Sequence, residues 1–289
     1  MSVLLYLGLG AVAGLIAGLF GVGGGLVIVP VLLWAFALQG FEPTYLTHLA
    51  VGTSLATIMV TSISSVQAHH RRGAVRWSVV RHLATGLLLG AFIGAGVADA
   101  MPAQMLQLVI GCFALWVAQN MFRSQRVPQQ VQQVAQVAQQ PAQQAQTPQV
   151  ERLPSVPKQA LAGGVIGVAS AIFGIGGGSL TVPYLSRYGV VMQQAVATSA
   201  ACGMPIALAG ALGFMFFGQS ADNLPAGAWG FVHIPAFLGI SAASLLTAQY
   251  GAALAHRLPA RLLKQLFSGL LLVVALVFIQ KSQFWQWVF

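Results

Sequence analysis

Ten apolar runs make up nearly all of this chain outside one polar stretch in its middle, and that leaves few ways to fold. The runs are about Val3–Leu19, Leu26–Leu38, Leu46–Val66, Val75–Ala98 and Ala103–Met121, then Gln159–Phe173, Leu180–Val191, Gln194–Phe217, Phe231–Ala255 and Ala260–Ile279. Only 6% of the residues are charged and 57% are hydrophobic, whereas a soluble domain is about 25% charged. Water could not solvate such a surface. The chain therefore reads as an all-α, polytopic membrane protein. A spanning helix needs about 20 residues. Six runs meet that length and Val3–Leu19 sits at the lower limit. The rest are short for an untilted crossing.

The second constraint is a repeat. FGVGGGLVIVP (Phe20–Pro30) matches FGIGGGSLTVP (Phe173–Pro183). VGTSLA (Val51–Ala56) matches VATSAA (Val196–Ala201), and GAVRW from Gly73 matches GFVHI from Gly230. The offset between the copies changes only where loops lie, as in a duplicated unit with loop insertions. The reading is two repeats of about five helical segments, residues 1–122 and 158–289. Residues 123–157 form a Gln- and Pro-rich linker whose composition cannot bury a core and predicts a disordered tether.

Charge placement predicts orientation. Arg71, Arg72, Arg76 and Arg81 flank one loop, Arg123, Arg126, Arg152 and Lys158 the linker, and Arg257, Arg261 and Lys264 the last loop. Glu42, Asp99 and Asp222 fall in the alternate loops. The positive-inside rule places the basic loops in the cytoplasm and both termini outside. Each repeat then has an odd number of crossings, whether its glycine segments cross or form a re-entrant hairpin. The second copy therefore runs upside down, as in inverted-repeat transporters.

Glycine breaks a helix, and broken backbone in lipid survives only where protein or a water-lined cavity satisfies it. Gly23, Gly24 and Gly25, with Gly176, Gly177 and Gly178, are therefore candidate substrate-binding positions, the break falling at the last two of each trio. Each new helix start offers free N–H groups and a positive dipole end to an anion. The repeated hydroxyls Thr53 and Ser54, and Thr198 and Ser199, are the side-chain candidates, with interhelical hydrogen bonding as the alternative role. His48 and His233 near span starts are candidates for proton coupling. Cys112 and Cys202 read as buried small hydrophobes and not as a disulfide.

Other classes find no support. There is no metal-ligand cluster, no paired carboxylate and no basic stripe for nucleic acid, and the glycine clusters lack the Lys-Ser/Thr ending of a phosphate loop. No enzyme activity, metal or cofactor is expected.

Taken together, GLFGVGGGLVIVPVLL, HLAVGTSLATI and AHHRRGAVRW, with AIFGIGGGSLTVPYL, AVATSAAC and GAALAHRLPARLLKQLFSGLLLVVAL, resemble the sulfite exporter TauE/SafE family. The resemblance covers the chain except its linker. It implies a secondary transporter of a small sulfur-containing anion, such as sulfite or an organosulfonate, in the bacterial cytoplasmic membrane. The alternatives kept are an anion channel and a carrier of a non-sulfur organic anion. The expected partners are the anion, the lipid bilayer and, left open, a second copy in a homodimer.

Orientation is testable directly. Single cysteines replacing Gln133 and Ser282 should differ in intact cells: an impermeant thiol reagent labels position 282 and spares 133. The opposite pattern reverses the topology.

Overall fold

The computed structural model describes residues 2–20, 25–71, 73–123, 153–255 and 260–281. Residues 124–152 of the linker, Gly23, Gly24, Arg72 and Arg257 lie outside them. Ten α-helices are present among the described residues, one for each apolar run. They are α1 (Ser2–Phe20), α2 (Gly25–Leu38), α3 (Pro43–Arg71), α4 (Trp77–Asp99) and α5 (Ala103–Arg123). The second set is α6 (Val156–Phe173), α7 (Gly178–Arg187), α8 (Met192–Phe217), α9 (Ile234–Ala255) and α10 (Ala260–Lys281).

Among the described residues, five helical stretches are long and apolar enough to cross a membrane: Pro43–Arg71, Trp77–Asp99, Ala103–Asn120, Val156–Phe173 and Gln193–Ser220. One of them, α6, looked short in the sequence. The structure extends it back to Val156, with Pro157 in its first turn, where a missing N–H costs nothing. The run from Phe231 to Ala255 differs in the other direction. Its first residues carry the second strand of a two-stranded hairpin, β2 (Val232–His233) paired with β1 (Ala228–Trp229) just before the run, and the helix starts only at Ile234. Gly230 at φ 53° makes the reversal that an L side chain resists.

The outer surface is hydrocarbon. Leu161 is 73% exposed and Leu246 69%, which suits a lipid-facing helix and no aqueous one. Both cysteines are free; Cys202 is buried as expected, whereas Cys112 lies on the exposed side of α5.

Packing is exchanged between the halves. Helix α1 lies along α9, and α6 lies along α4, while α3 pairs with α8 and α5 with α10. Glycines set the distance. A β-carbon on Gly10 would meet the Ile240 Cα at 2.7 Å, and one on Gly14 the Ser244 Cα at 2.6 Å. A β-carbon on Gly163 would meet the Leu83 carbonyl oxygen at 2.5 Å, and one on Gly167 that of Leu87 at 2.6 Å. In the repeat alignment Gly10 matches Gly163, Gly14 matches Gly167, Leu83 matches Ile240 and Leu87 matches Ser244. Both contacts are thus made twice, once in each direction. Lipid tails are as apolar as leucine, so such helices are held by close packing and by hydrogen bonds across the seam. One of these runs from the Ser244 hydroxyl to the Gly10 carbonyl, 3.1 Å.

The seam should not tolerate bulk. Gly163→Leu and Gly86→Leu are expected to lower the melting temperature in detergent, since overpacking costs about 1–3 kcal/mol. Gly8→Leu, whose β-carbon meets nothing within 4 Å, should melt like the parent. Equal melting of all three would show that the seam is not close-packed.

Candidate functional site

The second glycine segment is fully described. Helix α6 ends at Phe173, and Gly174 follows in the left-handed region, φ 64°. The Ile175 N–H then bonds back to the Ser170 carbonyl, 3.0 Å, closing the last turn. Gly177 stands before α7, and Leu180 and Thr181 donate their N–H groups to its carbonyl. The break therefore occupies Gly174–Gly177, earlier than the Gly177–Gly178 position read from the sequence. The reason is that Gly174, not the later glycines, takes the positive φ. All four residues are buried.

The break touches both halves. A β-carbon on Gly25, the first residue of α2, would meet the Gly174 carbonyl oxygen at 2.6 Å and the Ile175 Cα at 2.8 Å. Ile58 of α3 closes against both Gly25 and Gly176. On the far side, Gly177 faces Ile206 of α8 and the Thr181 hydroxyl. The start of α2, the break in the second half and the middles of α3 and α8 therefore meet in one buried region.

Thr53, Ser54, Thr198 and Ser199 are all buried. The Thr53 hydroxyl accepts the His233 N–H at 3.0 Å, and the Thr198 hydroxyl accepts the Arg76 N–H at 3.1 Å. Thr53 aligns with Thr198, and Arg76 with His233. Each threonine therefore receives the N–H just before the fourth helix of the other half, where no helical carbonyl is in reach. Ser54 donates to the Gly174 carbonyl, 3.0 Å, tying α3 to the break. A hydroxyl that accepts an N–H still has a hydrogen to give, but these three oxygens already serve the fold.

Recurrence between the halves points to those residues and passes over others. Ser170 and Thr181 are fully buried, and their hydroxyls have no hydrogen-bond partner. The Ser179 hydroxyl is likewise buried and unpartnered. The signal available in the sequence was the reverse of repetition: Ser170, Ser179 and Thr181 align with Ala17, Leu26 and Ile28.

The two histidines are built into the frame. His48 directs Nε2 at the Ala98 and Met101 carbonyls, 2.9 and 3.1 Å, so that nitrogen carries the hydrogen; its Nδ1 is buried without a partner. The His233 ring sits among Tyr6, Phe36 and Phe41, with centroids 5.2–5.5 Å away, and Nδ1 accepts the Ala236 N–H at 3.3 Å. Among the described residues no Asp, Glu, Lys or Arg is buried, and no group of His, Cys, Asp or Glu is placed to hold a metal ion.

The threonine contacts are testable. Thr53→Val strands a buried N–H, at a cost of about 1–3 kcal/mol, and Thr198→Val a part-buried one, at the lower end of that range. Both should melt lower than the parent, and Thr53→Ser and Thr198→Ser should recover most of the loss. Valine variants that melt like the parent would show that these hydroxyls are not structural.

Comparison with known proteins converges on one group. The chain is 36% identical to a probable membrane transporter protein of Haemophilus influenzae, over 95% of this chain and 97% of that one. It is 28% identical to a probable membrane transporter protein of Bacillus subtilis, YunE, over 79% of this chain and 85% of that protein. A third, from Methanocaldococcus jannaschii, is 26% identical over 66% of this chain and 64% of its own length. No solved structure matches the chain. The family model for the sulfite exporter TauE/SafE matches residues 6–278. With the exchanged helices and the buried glycine break in view, the chain belongs to the sulfite exporter TauE/SafE family of membrane transporters.

Proposed function

We propose that this membrane transporter moves a small sulfur-containing anion, sulfite or an organosulfonate, out of the cell by alternating access around the buried glycine break. The observation that carries the reading is the meeting of Gly25 with Gly174 and Ile175. A helix start from one half and a broken helix from the other share one buried region with no buried acid or base beside them among the described residues. Backbone N–H groups and hydroxyls are the donors such a region offers, and they suit an anion of diffuse charge. The repeats are taken as inverted, with residues 123–157 as a cytoplasmic tether.

Proton coupling, in this reading, rides on the substrate. Sulfite is a weak acid and enters as bisulfite, which lowers the charge to be held away from water. His48 and His233 are committed to frame contacts. Flux by a His48→Gln, His233→Gln double variant should therefore keep its pH dependence; losing that dependence while keeping activity would return the coupling to histidine.

Counterflow in proteoliposomes tests the function itself. Unlabelled sulfite outside should accelerate release of labelled sulfite from inside, and Gly177→Val should abolish the exchange while the protein still purifies folded. Flux indifferent to opposing substrate identifies a channel. Exchange undiminished in Gly177→Val removes the break from the pathway.

A further inference from the structure

Resting on the transport reading above, we propose that the anion is held on one side only: by the hydroxyls of Ser170 and Thr181 and the N–H groups of Gly178 and Ser179 that open α7. The second half binds, and the first half offers no buried unpartnered hydroxyl among the described residues.

Three observations support this asymmetry. Buried hydroxyls are almost always hydrogen-bonded, because an unpartnered one has given up water for nothing. Two such hydroxyls bracket a single break, Ser170 four residues before Gly174 and Thr181 three residues into α7. Their direction is also informative. The Thr181 Oγ1 lies 3.1 Å from the place a β-carbon on Gly177 would occupy, beside the end of the break, and it bonds to no backbone carbonyl. The Ser170 carbonyl is already engaged by the Ile175 N–H; its hydroxyl is what remains to be satisfied. Finally, α7 starts behind a glycine, with no side-chain cap on its first turn. An uncapped helix start has N–H donors and a positive dipole end to offer.

The aligned positions in the first half are Ala17, Leu26 and Ile28. None of them can donate, and Ile28 is packed into the core. The symmetric hydroxyls Thr53 and Thr198 hold the frame, whereas Ser170, Ser179 and Thr181, absent from the first half, have no hydrogen-bond partner. Several neutral donors at one break, with no Lys or Arg buried among the described residues, suit a group with three oxygens sharing one charge. A sulfonate or bisulfite headgroup matches that set better than a carboxylate, which presents two.

Isothermal titration of the purified full-length protein tests the proposal, with sulfite, methanesulfonate and acetate as titrants in sodium-free buffer. The parent should bind sulfite and methanesulfonate more tightly than acetate. Ser170→Ala and Thr181→Val should each weaken sulfite binding by about 10- to 100-fold, the range for losing one hydrogen bond to a charged group. Thr181→Ser should retain binding. Should Thr181→Val fail to fold, Ser170→Ala decides, since it installs the residue found at the matching first-half position. Parent-like affinity in folded hydroxyl-free variants overturns the one-sided site and leaves the transport reading intact. Binding that appears only when sodium is restored overturns it too, by assigning the hydroxyl oxygens to a cation. A parent that binds none of the titrants sinks both readings.

Discussion

Close approach of helix backbones across the two halves is the constraint on which the rest of the structure depends. Lipid supplies no hydrophobic force to press helices together, so they must interlock. Gly10 and Gly14 let α1 settle against α9, and Gly163 and Gly167 let α6 settle against α4. With α1 and α6 so fixed, their C-terminal ends lead into the two glycine segments. The described break and the start of α2 then come into contact instead of lying apart in lipid. The Thr53 and Thr198 hydroxyls add a second set of ties across the same divide, each to an N–H that would otherwise be orphaned.

The ten helices were legible because uninterrupted hydrocarbon of helical length has one stable form in a bilayer. The Phe231–His233 stretch misled for the same reason: strand and helix are equally apolar there, and the deciding residue, Gly230, lies just outside the run. The break was legible in kind but not in place. Four glycines within Gly174–Gly178 can all break a helix, and only packing against Val29 and Val51 shows that Gly174 is the one turned left-handed.

Thr53 and Thr198 stood out because they recur, yet their partners lie more than a hundred residues away in sequence, and nothing local names them. Ser170, Ser179 and Thr181 were invisible to a search for recurrence, because the first half carries apolar residues at the matching positions. A repeat reports on the scaffold that both copies share. Divergence between the copies reports on what each has come to do. Here three buried hydroxyls found in one copy only lie about one helix break.

The exchanged contacts also bear on how such a chain is assembled. Gly10 on Ile240 and Gly163 on Leu83 are the same contact made in both directions, which is the signature of a self-complementary interface between two equal bodies. During synthesis α4 leaves the ribosome with its glycine face bare, because α6 has not yet been made. The first five helices therefore remain an unfinished protein until the stretch after the linker arrives. A chain carrying one repeat alone would meet the same need by pairing with a second copy of itself. In this protein the linker makes that pairing a matter of chain connectivity, independent of how many copies the membrane holds.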